Sequence, residues 1–542
     1  MTGAASVIPR AADECVMRTA PDRGQVAPQA ERWVLAATIL GSSIASIDGT
    51  VVNVALPVMQ RSFHATSSDL QWVIEAYSLF LSALILVGGS LGDRLGRRRV
   101  YAAGIMIFAV ASVACGLAPT IGVLIAARCI QGIGGALLVP GSLSIISASF
   151  DPARRGRAIG TWAGFSTLAT ALGPVVGGWL VQNASWRWVF FLNVPLAAIT
   201  LVLLYRHVPE SRDEDLTGGI DWLGAALITG SLGGLTYGLI EAGPRGFGDP
   251  VVVASLVAGV VLLVAFVLAE ARSPAPMMPL DIWRSRTFTG TNLLTLLLYG
   301  ALGGSLYFLP FNLQQVQGYS PTAAGAAFLP FIAIVFVLSR WTGGLVQRYG
   351  AKRPLIIGPI ISAIGFVLFA VPDIGGSFWI TFFPAIVVLS LGMSLVIAPL
   401  TTAVMNALET HRSGVASGVN NAVSRVAGLL AIAVLGLVVA GVFNTHLDSS
   451  LSSLPVPASA KSAVESQRTK LVGASLPSGL SASQRAQLER VLKESFVAGF
   501  RAAMLVSAGL ALASSIFAAW LIDGRKPEPT AAVQTEKVAQ KA

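Results

Sequence analysis

The sequence predicts an all-α polytopic membrane protein of about fourteen transmembrane helices, and three observations predict it. Of 542 residues, 54% are hydrophobic and only 12% are charged, about half the charged share of a soluble domain. No single core buries that much apolar surface, so lipid must solvate part of it. The apolar residues also recur in blocks of about 20, the length a helix needs to cross the hydrocarbon layer. Alternating strand-length segments are absent, which excludes a barrel. Finally, Lys and Arg collect on alternate loops, as cytoplasmic loops do.

The expected spans are 33–57, 70–92, 100–118, 120–147, 157–182, 188–206, 221–242, 250–270, 287–316, 322–346, 354–372, 376–401, 413–443 and 497–521. The loops after even-numbered spans hold sixteen Lys and Arg, from Arg94 to Arg412, against three in the short loops on the other side, Arg61, Arg187 and Arg245. The first set therefore reads as cytoplasmic, with both termini inside a cell inner membrane. Residues 1–31 lack an apolar leader and read as a disordered cytoplasmic tail, as does 522–542. The segment 444–496 reads as a polar outer loop. Its stretch from Ser481 has helical periodicity, with Ser481 or Ser483 as N-cap.

The net charge of +10 reflects loop bias and points to no nucleic-acid partner. Cys15, Cys115 and Cys129 have no metal or redox spacing and read as unpaired thiols. His64, His207, His411 and His446 fall at or near loops and form no relay. No phosphate-binding GxxxxGK[ST] segment occurs, so neither a nucleotide nor any other cofactor is expected, and no nucleophile–base or metal set suggests an enzyme.

A repeat divides the chain. Gly89-Ser-Leu-Gly-Asp-Arg-Leu-Gly-Arg-Arg-Arg99 aligns without gaps on Gly343-Gly-Leu-Val-Gln-Arg-Tyr-Gly-Ala-Lys-Arg353. Both follow the second helix of a six-helix set. The organisation expected is an N-terminal bundle at 32–207, a two-helix insert at 208–286 and a C-terminal bundle at 287–521. Parallel halves suggest a carrier that rocks about a central site.

Four segments resemble the major facilitator superfamily, in particular its fourteen-helix drug:proton antiporter branch. The segment 89–99 is similar to the signature loop of that family. The resemblance implies an inner gate of Gly89, Asp93, Arg94, Gly96, Arg97 and Arg98, although a plain positive-inside anchor accounts for the same charges. Arg128-Cys-Ile-Gln-Gly-Ile-Gly-Gly135 resembles the fourth-helix motif. It implies a coupling role for Arg128, with Gln131 as a possible cavity residue; structural pairing is the alternative. The fifth helix, with Gly160, Gly173, Pro174, Gly177 and Gly178, resembles the antiporter motif, with Ala169 where the pattern has Gly. That likeness implies export. Asp48-Gly-Thr-Val-Val-Asn-Val-Ala-Leu-Pro57 resembles the motif of the fourteen-helix branch. Trp186-Arg-Trp-Val-Phe-Phe-Leu-Asn-Val-Pro195 also fits, with its Trp residues read as interfacial anchors.

Acids inside a membrane are functional candidates. Asp48 lies near the midplane as a proton carrier, or else as a structural partner of Arg128 or Asn53. Glu75 either titrates or reaches the outer interface. Asn420, Asn421 and Arg425 lie on helix thirteen as candidate cavity residues, with packing as the other reading of Arg425. Arg340 belongs with the inner gate, whereas Glu241 and Glu270 read as solvated span ends. The resemblance implies proton-coupled export of small amphipathic or cationic compounds, by a functional monomer. The alternatives are a dedicated exporter of a metabolite, lipid, siderophore or self-made antibiotic, and a membrane sensor without transport.

Overall fold

The structure is a computed structural model that describes residues 28–213, 219–274, 276–408, 413–477 and 479–523. Side chains of 28–30, 152–153, 339–340, 343–349 and 413–414 are not among those described. Cys15, His411, Arg412, the side chains of Arg340 and Arg348, and nearly all of both expected tails therefore lie outside it.

Among the described residues, fourteen helices are long and apolar enough to cross a membrane, the number the sequence predicts. The main helices of these spans are α1 Pro28–Phe63, α2 Ser67–Leu95, α3 Arg97–Leu117, α4 Ile121–Ser149, α5 Pro152–Asn183, α6 Asn193–His207, α7 Trp222–Arg245, α8 Pro250–Arg272, α9 Arg286–Phe311, α10 Leu329–Tyr349, α11 Lys352–Phe369, α12 Phe383–Asn406, α13 Ser413–Ser453 and α14 Ala482–Leu521; the sixth span begins earlier, at Trp188, and the tenth covers Pro321–Leu338. Local chemistry sets several boundaries. Thr66 and Asp69 form a capping box at the start of α2, and Asp249 caps α8, satisfying amide groups that a helix start leaves open. Gly96, with φ 111°, joins α2 to α3, a conformation that side chains rarely adopt.

The segment 444–496 is far more helical than its polarity suggests. Helix α13 runs on to Ser453, and α14 begins at Ala482 behind a capping box of Ser481 and Gln484. His446 is thus inside a helix, bonded to Ser495 at 3.1 Å. The extensions stay folded because each keeps an apolar stripe. Leu447 and Leu451 are buried on α13, as are Leu488 and Leu492 on α14. Spacing of four residues keeps such a stripe on one face while mean hydropathy falls. A short helix, Ala458–Glu465, and a turn at Arg468–Gly473 join the two extensions.

Helices α1 to α6 form one bundle and α9 to α14 another, with a core cluster that crosses between them. In the insert, α7 packs against α2 and α13, while α8 packs on α7. Only 17% of the apolar window of α8 is buried, so α8 presents its surface to lipid. The ends bearing residues 93–99 define a basic face. Hydrogen bonds between the bundles cluster at the opposite face. There Gln314 donates to the Val54 carbonyl at 2.8 Å, Gln315 to Gln60 at 2.9 Å, and the Thr322 amide to Gln182 at 3.3 Å. Gln60 also donates to the Lys470 carbonyl at 3.0 Å, which ties the outer turn to α1.

Candidate functional site

Asp48, Arg128 and Gln131 meet in the core of the first bundle. The Arg128 guanidinium donates to Asp48 Oδ2 at 2.5 Å, to Gln131 Oε1 at 2.7 Å and to the Val73 carbonyl at 2.9 Å. Gln131 donates to Asp48 Oδ1 at 2.9 Å, and Asn193 to the same oxygen at 3.1 Å. Ser112 accepts from both amides, at 2.8 and 3.2 Å. The Tyr77 ring covers the guanidinium at 4.3 Å. Asp48, Gln131 and Asn193 are fully buried and Arg128 is 1% exposed. The network thus joins α1, α2, α3, α4 and α6, and every charge in it has a partner. Such a pair is net neutral, so it sits in apolar surroundings where either charge alone is costly. Asn53 takes no part in it.

Glu75 is placed differently. It too is fully buried, yet neither carboxyl oxygen has a hydrogen-bond partner. It does not reach an interface. Tyr307 on α9, in the other bundle, lies within its electrostatic reach, and the Tyr307 hydroxyl also lacks a hydrogen bond. The structure therefore does not bring Glu75 into the Asp48 network; it leaves an isolated carboxyl between the bundles.

The loop expected to form the inner gate is engaged within its own half. Arg97 pairs with Asp93 at 2.8 Å, and the Arg98 amide donates to Glu210 at 3.0 Å. The Arg98 and Arg99 side chains lie 3.8 and 3.6 Å from Glu210. Arg94 donates to the Gly219 carbonyl at 3.1 Å, and the Asp213 amide to the Asp93 carbonyl at 2.8 Å. Gly96 lies against the Glu210 carboxyl, and Gly89 sits in ordinary contact with Pro140 of α4. The loop is thus clasped by Val208, Glu210, Ser211, Asp213 and Gly219, on the way into the insert.

On α5 the small residues of the motif divide in two. Gly173 and Gly177 lie against Thr50 and Val51 of α1. Gly178 lies against the Pro321 carbonyl, and Gly325 lies against the Pro174 carbonyl, both across the seam between bundles. Gly160 has open space and packs on nothing. Any side chain at Gly178 meets the backbone of the short helix Pro321–Ala326. We expect Gly178→Val to part the bundles at this face. A cysteine placed at Gln315 should then react with a membrane-impermeant maleimide several-fold faster than in the parent; an unchanged rate would remove Gly178 from the seal.

In the second bundle, Asn420 is a packing residue that donates to Asn292 at 3.1 Å and Thr295 at 2.8 Å. Asn421 is exposed and bonds the Ser417 carbonyl of its own helix. Arg425 is half-buried and electrostatically coupled to Tyr77 across the seam. Two expectations need correction. Glu270 is 2% exposed rather than solvated, since it accepts from the Met278 amide at 3.0 Å and packs beside Gly224. Trp186 is buried against Phe63 and Phe190 and bonds Ser62, so only Trp188 has the exposure of an anchor. Sequence reasoning missed Ser112, Asn193, Tyr77 and Tyr307. Their one signal was polarity inside apolar runs.

Two helical bundles meeting around buried charges, sealed at one face, define a polytopic membrane carrier. The profile of the Major Facilitator Superfamily matches residues 38–432, and the chain belongs to that family. It is a multi-pass membrane transporter and not an enzyme. It is similar to the tetracenomycin C resistance and export protein of Streptomyces glaucescens, with 32% identity over 91% of this chain and 92% of that one. It is also 34% identical to the multidrug resistance protein Stp of Mycobacterium tuberculosis H37Rv, over 90% of this chain and 91% of that one. The puromycin resistance protein pur8 of Streptomyces alboniger is 35% identical over 78% of this chain and 84% of its own length. Among solved structures, the bacterial homologue of the human lysosomal transporter Spinster, inward-facing and unoccupied, superposes with TM-score 0.61. It is 16% identical and covers 91% of this chain and 98% of that one.

Proposed function

We propose that this chain exports small amphipathic drugs across the cytoplasmic membrane in exchange for protons. The basic face is cytoplasmic, with both termini inside, and the working unit is a monomer. The bundles at 32–207 and 287–521 rock about their shared seam, with 208–286 as an insert. In the present state the opposite face is sealed and cargo enters from the cytoplasm.

The observation that carries this reading is Glu75. An acid that is fully buried within a span and has no hydrogen-bond partner marks a functional position, and we take Glu75 as the group that carries the exchanged proton. When the bundles rearrange, water or a cation reaches Glu75 and the proton leaves. Asp48, Arg128, Gln131 and Asn193 set the helices of the first bundle around that event. Asp93, Arg94, Arg97 and Arg98 act as the gate in the alternate state, when the loop is freed from Glu210, which holds Arg98 and Arg99, and from Gly219, which holds Arg94.

The names of the relatives support export of drugs or antibiotics. Two of those names carry a single antibiotic, which favours as a second reading a dedicated exporter of one such compound. The test is a host stripped of its own efflux pumps. Expressing this chain should raise the tolerated concentration of at least one compound in an acidic, neutral and cationic panel several-fold. No change across the panel, with the protein present in the membrane, would defeat the reading.

A further inference from the structure

The membrane interior of the two bundles contains few charges. Asp48 and Glu75 are the acids within α1 to α6 away from helix ends, and both are fully buried. Asp48 is neutralised by Arg128. From Arg286 to Leu447 the sequence holds two acids, Asp373 and Glu409; Asp373 falls between helices and Glu409 lies outside the described residues. Arg425 stands against that background. It is twelve residues into α13, about 18 Å along the helix axis. Among the described residues its guanidinium has no carboxylate and no hydrogen bond, and it remains partly open to solvent. Its neighbours Val426 and Leu429 pack in one cluster with Leu79 and Ala83 of α2 in the opposite bundle, which puts this stretch of α13 at the seam.

We propose that Arg425 is the recognition point for an acidic group on the cargo, a carboxylate or an ionised phenol or enol on an aromatic frame. This rests on the exporter reading above. A guanidinium offers a rigid fork of donors that matches an oxyanion in two parallel bonds. Low-dielectric walls strengthen that attraction. A cationic compound finds no accessible carboxylate beside it, because Asp48 is paired and Glu75 is occluded. The sign of the accessible charge therefore selects acids over amines, while the apolar surface around the seam accepts the rings.

The test uses two probes with one ring system, anthracene-9-carboxylate and 9-(aminomethyl)anthracene, binding to the purified full chain in detergent by fluorescence anisotropy. Wild type should bind the carboxylate at least about tenfold tighter than the amine, roughly 1.4 kcal/mol. Arg425→Gln should weaken the carboxylate about tenfold and leave the amine unchanged, whereas Arg425→Lys should keep the preference. Equal binding of the two probes by wild type, a preference for the amine, binding of neither, or wild-type carboxylate affinity in Arg425→Gln would each overturn the proposal. Wild type alone decides the matter if Arg425→Gln fails to fold. Energised extrusion of whichever panel compound the chain confers resistance to separates the two readings. If it persists while the probes bind equally, the anion site falls and the exporter stands. If the carboxylate binds through Arg425 but no compound moves, the reverse holds.

Discussion

Replacing Glu75 with Gln should leave the protein folded and abolish uphill export. The wild-type carboxyl makes no hydrogen bond, so the amide loses no partner. The change in stability should stay within about 1 kcal/mol, the net worth of one hydrogen bond. Gln imitates the protonated acid permanently, so the carrier can still rearrange but cannot release a proton. Accumulation of cargo against a gradient should fall to background, a loss of at least about tenfold. Downhill equilibration through the same protein should continue. Counterflow in proteoliposomes without a pH gradient measures the second property, and energised uptake into inverted vesicles the first. Energised uptake at the wild-type rate would remove Glu75 from the exchange.

The Asp48–Arg128 pair gives the second large effect, and here folding and transport must be separated. Asp48→Asn strands a buried guanidinium, and Arg128→Gln strands a buried carboxylate. Breaking a buried pair from one side costs about 3–5 kcal/mol. Each single variant should therefore melt at lower temperature, and part of any lost transport would be lost protein. The double variant Asp48→Asn, Arg128→Gln removes both charges and keeps amides able to bond Ser112, Gln131 and Asn193. We expect it to recover most of the thermal stability while transport remains absent. Restored transport in the double variant would reduce the pair to a structural clamp. Double variants no more stable than the singles would mean that the two charges are not compensating one another.

The fourteen spans were legible because twenty apolar residues in a row have few other uses, and loop arginines fixed their alternation. The pairing of Asp48 with Arg128 was half legible, since two opposite charges in apolar helices need partners. Their neighbours Ser112 and Asn193 were not, because a single Ser or Asn in a span is common and its direction depends on packing. The helix from Ser481 was legible from its periodicity and cap, but the extension of α13 to Ser453 was read as loop because its stripe of Leu447 and Leu451 is thin beside its polar surface. Glu210 sits in what looked like a linker, and nothing local marks it as the partner of the loop at 93–99. The role of Gly178 depends on Pro321, 143 residues away, a contact no local pattern encodes. Glu270 was misjudged for a related reason. Its place near a helix end suggested water, but the chain at Met278 folds back over it.

The glycines of α5 help to explain how one motif serves alternating access. Gly173 and Gly177 lie against α1, while Gly178 and Pro174 lie against the other bundle; on the proposed mechanism the first pair of contacts is kept through the cycle and the second is broken. Contacts that break in each cycle suit small residues, which close tightly without interlocking. Likewise Glu210 holds the 93–99 loop on its own side through partly exposed ion pairs, each worth about 0–1 kcal/mol. Such a clasp is weak enough to exchange for another partner when the basic face closes.

Proton exchange is tested most directly in inverted membrane vesicles energised until their lumen is acidic, with a pH-sensitive dye reporting the gradient. In these vesicles export moves cargo into the lumen and protons out. Adding a compound to which the protein confers resistance should partly collapse the gradient within seconds in wild type, and leave it intact in Glu75→Gln. Cargo accumulation with no movement of protons, or equal proton release by the variant, would contradict the account.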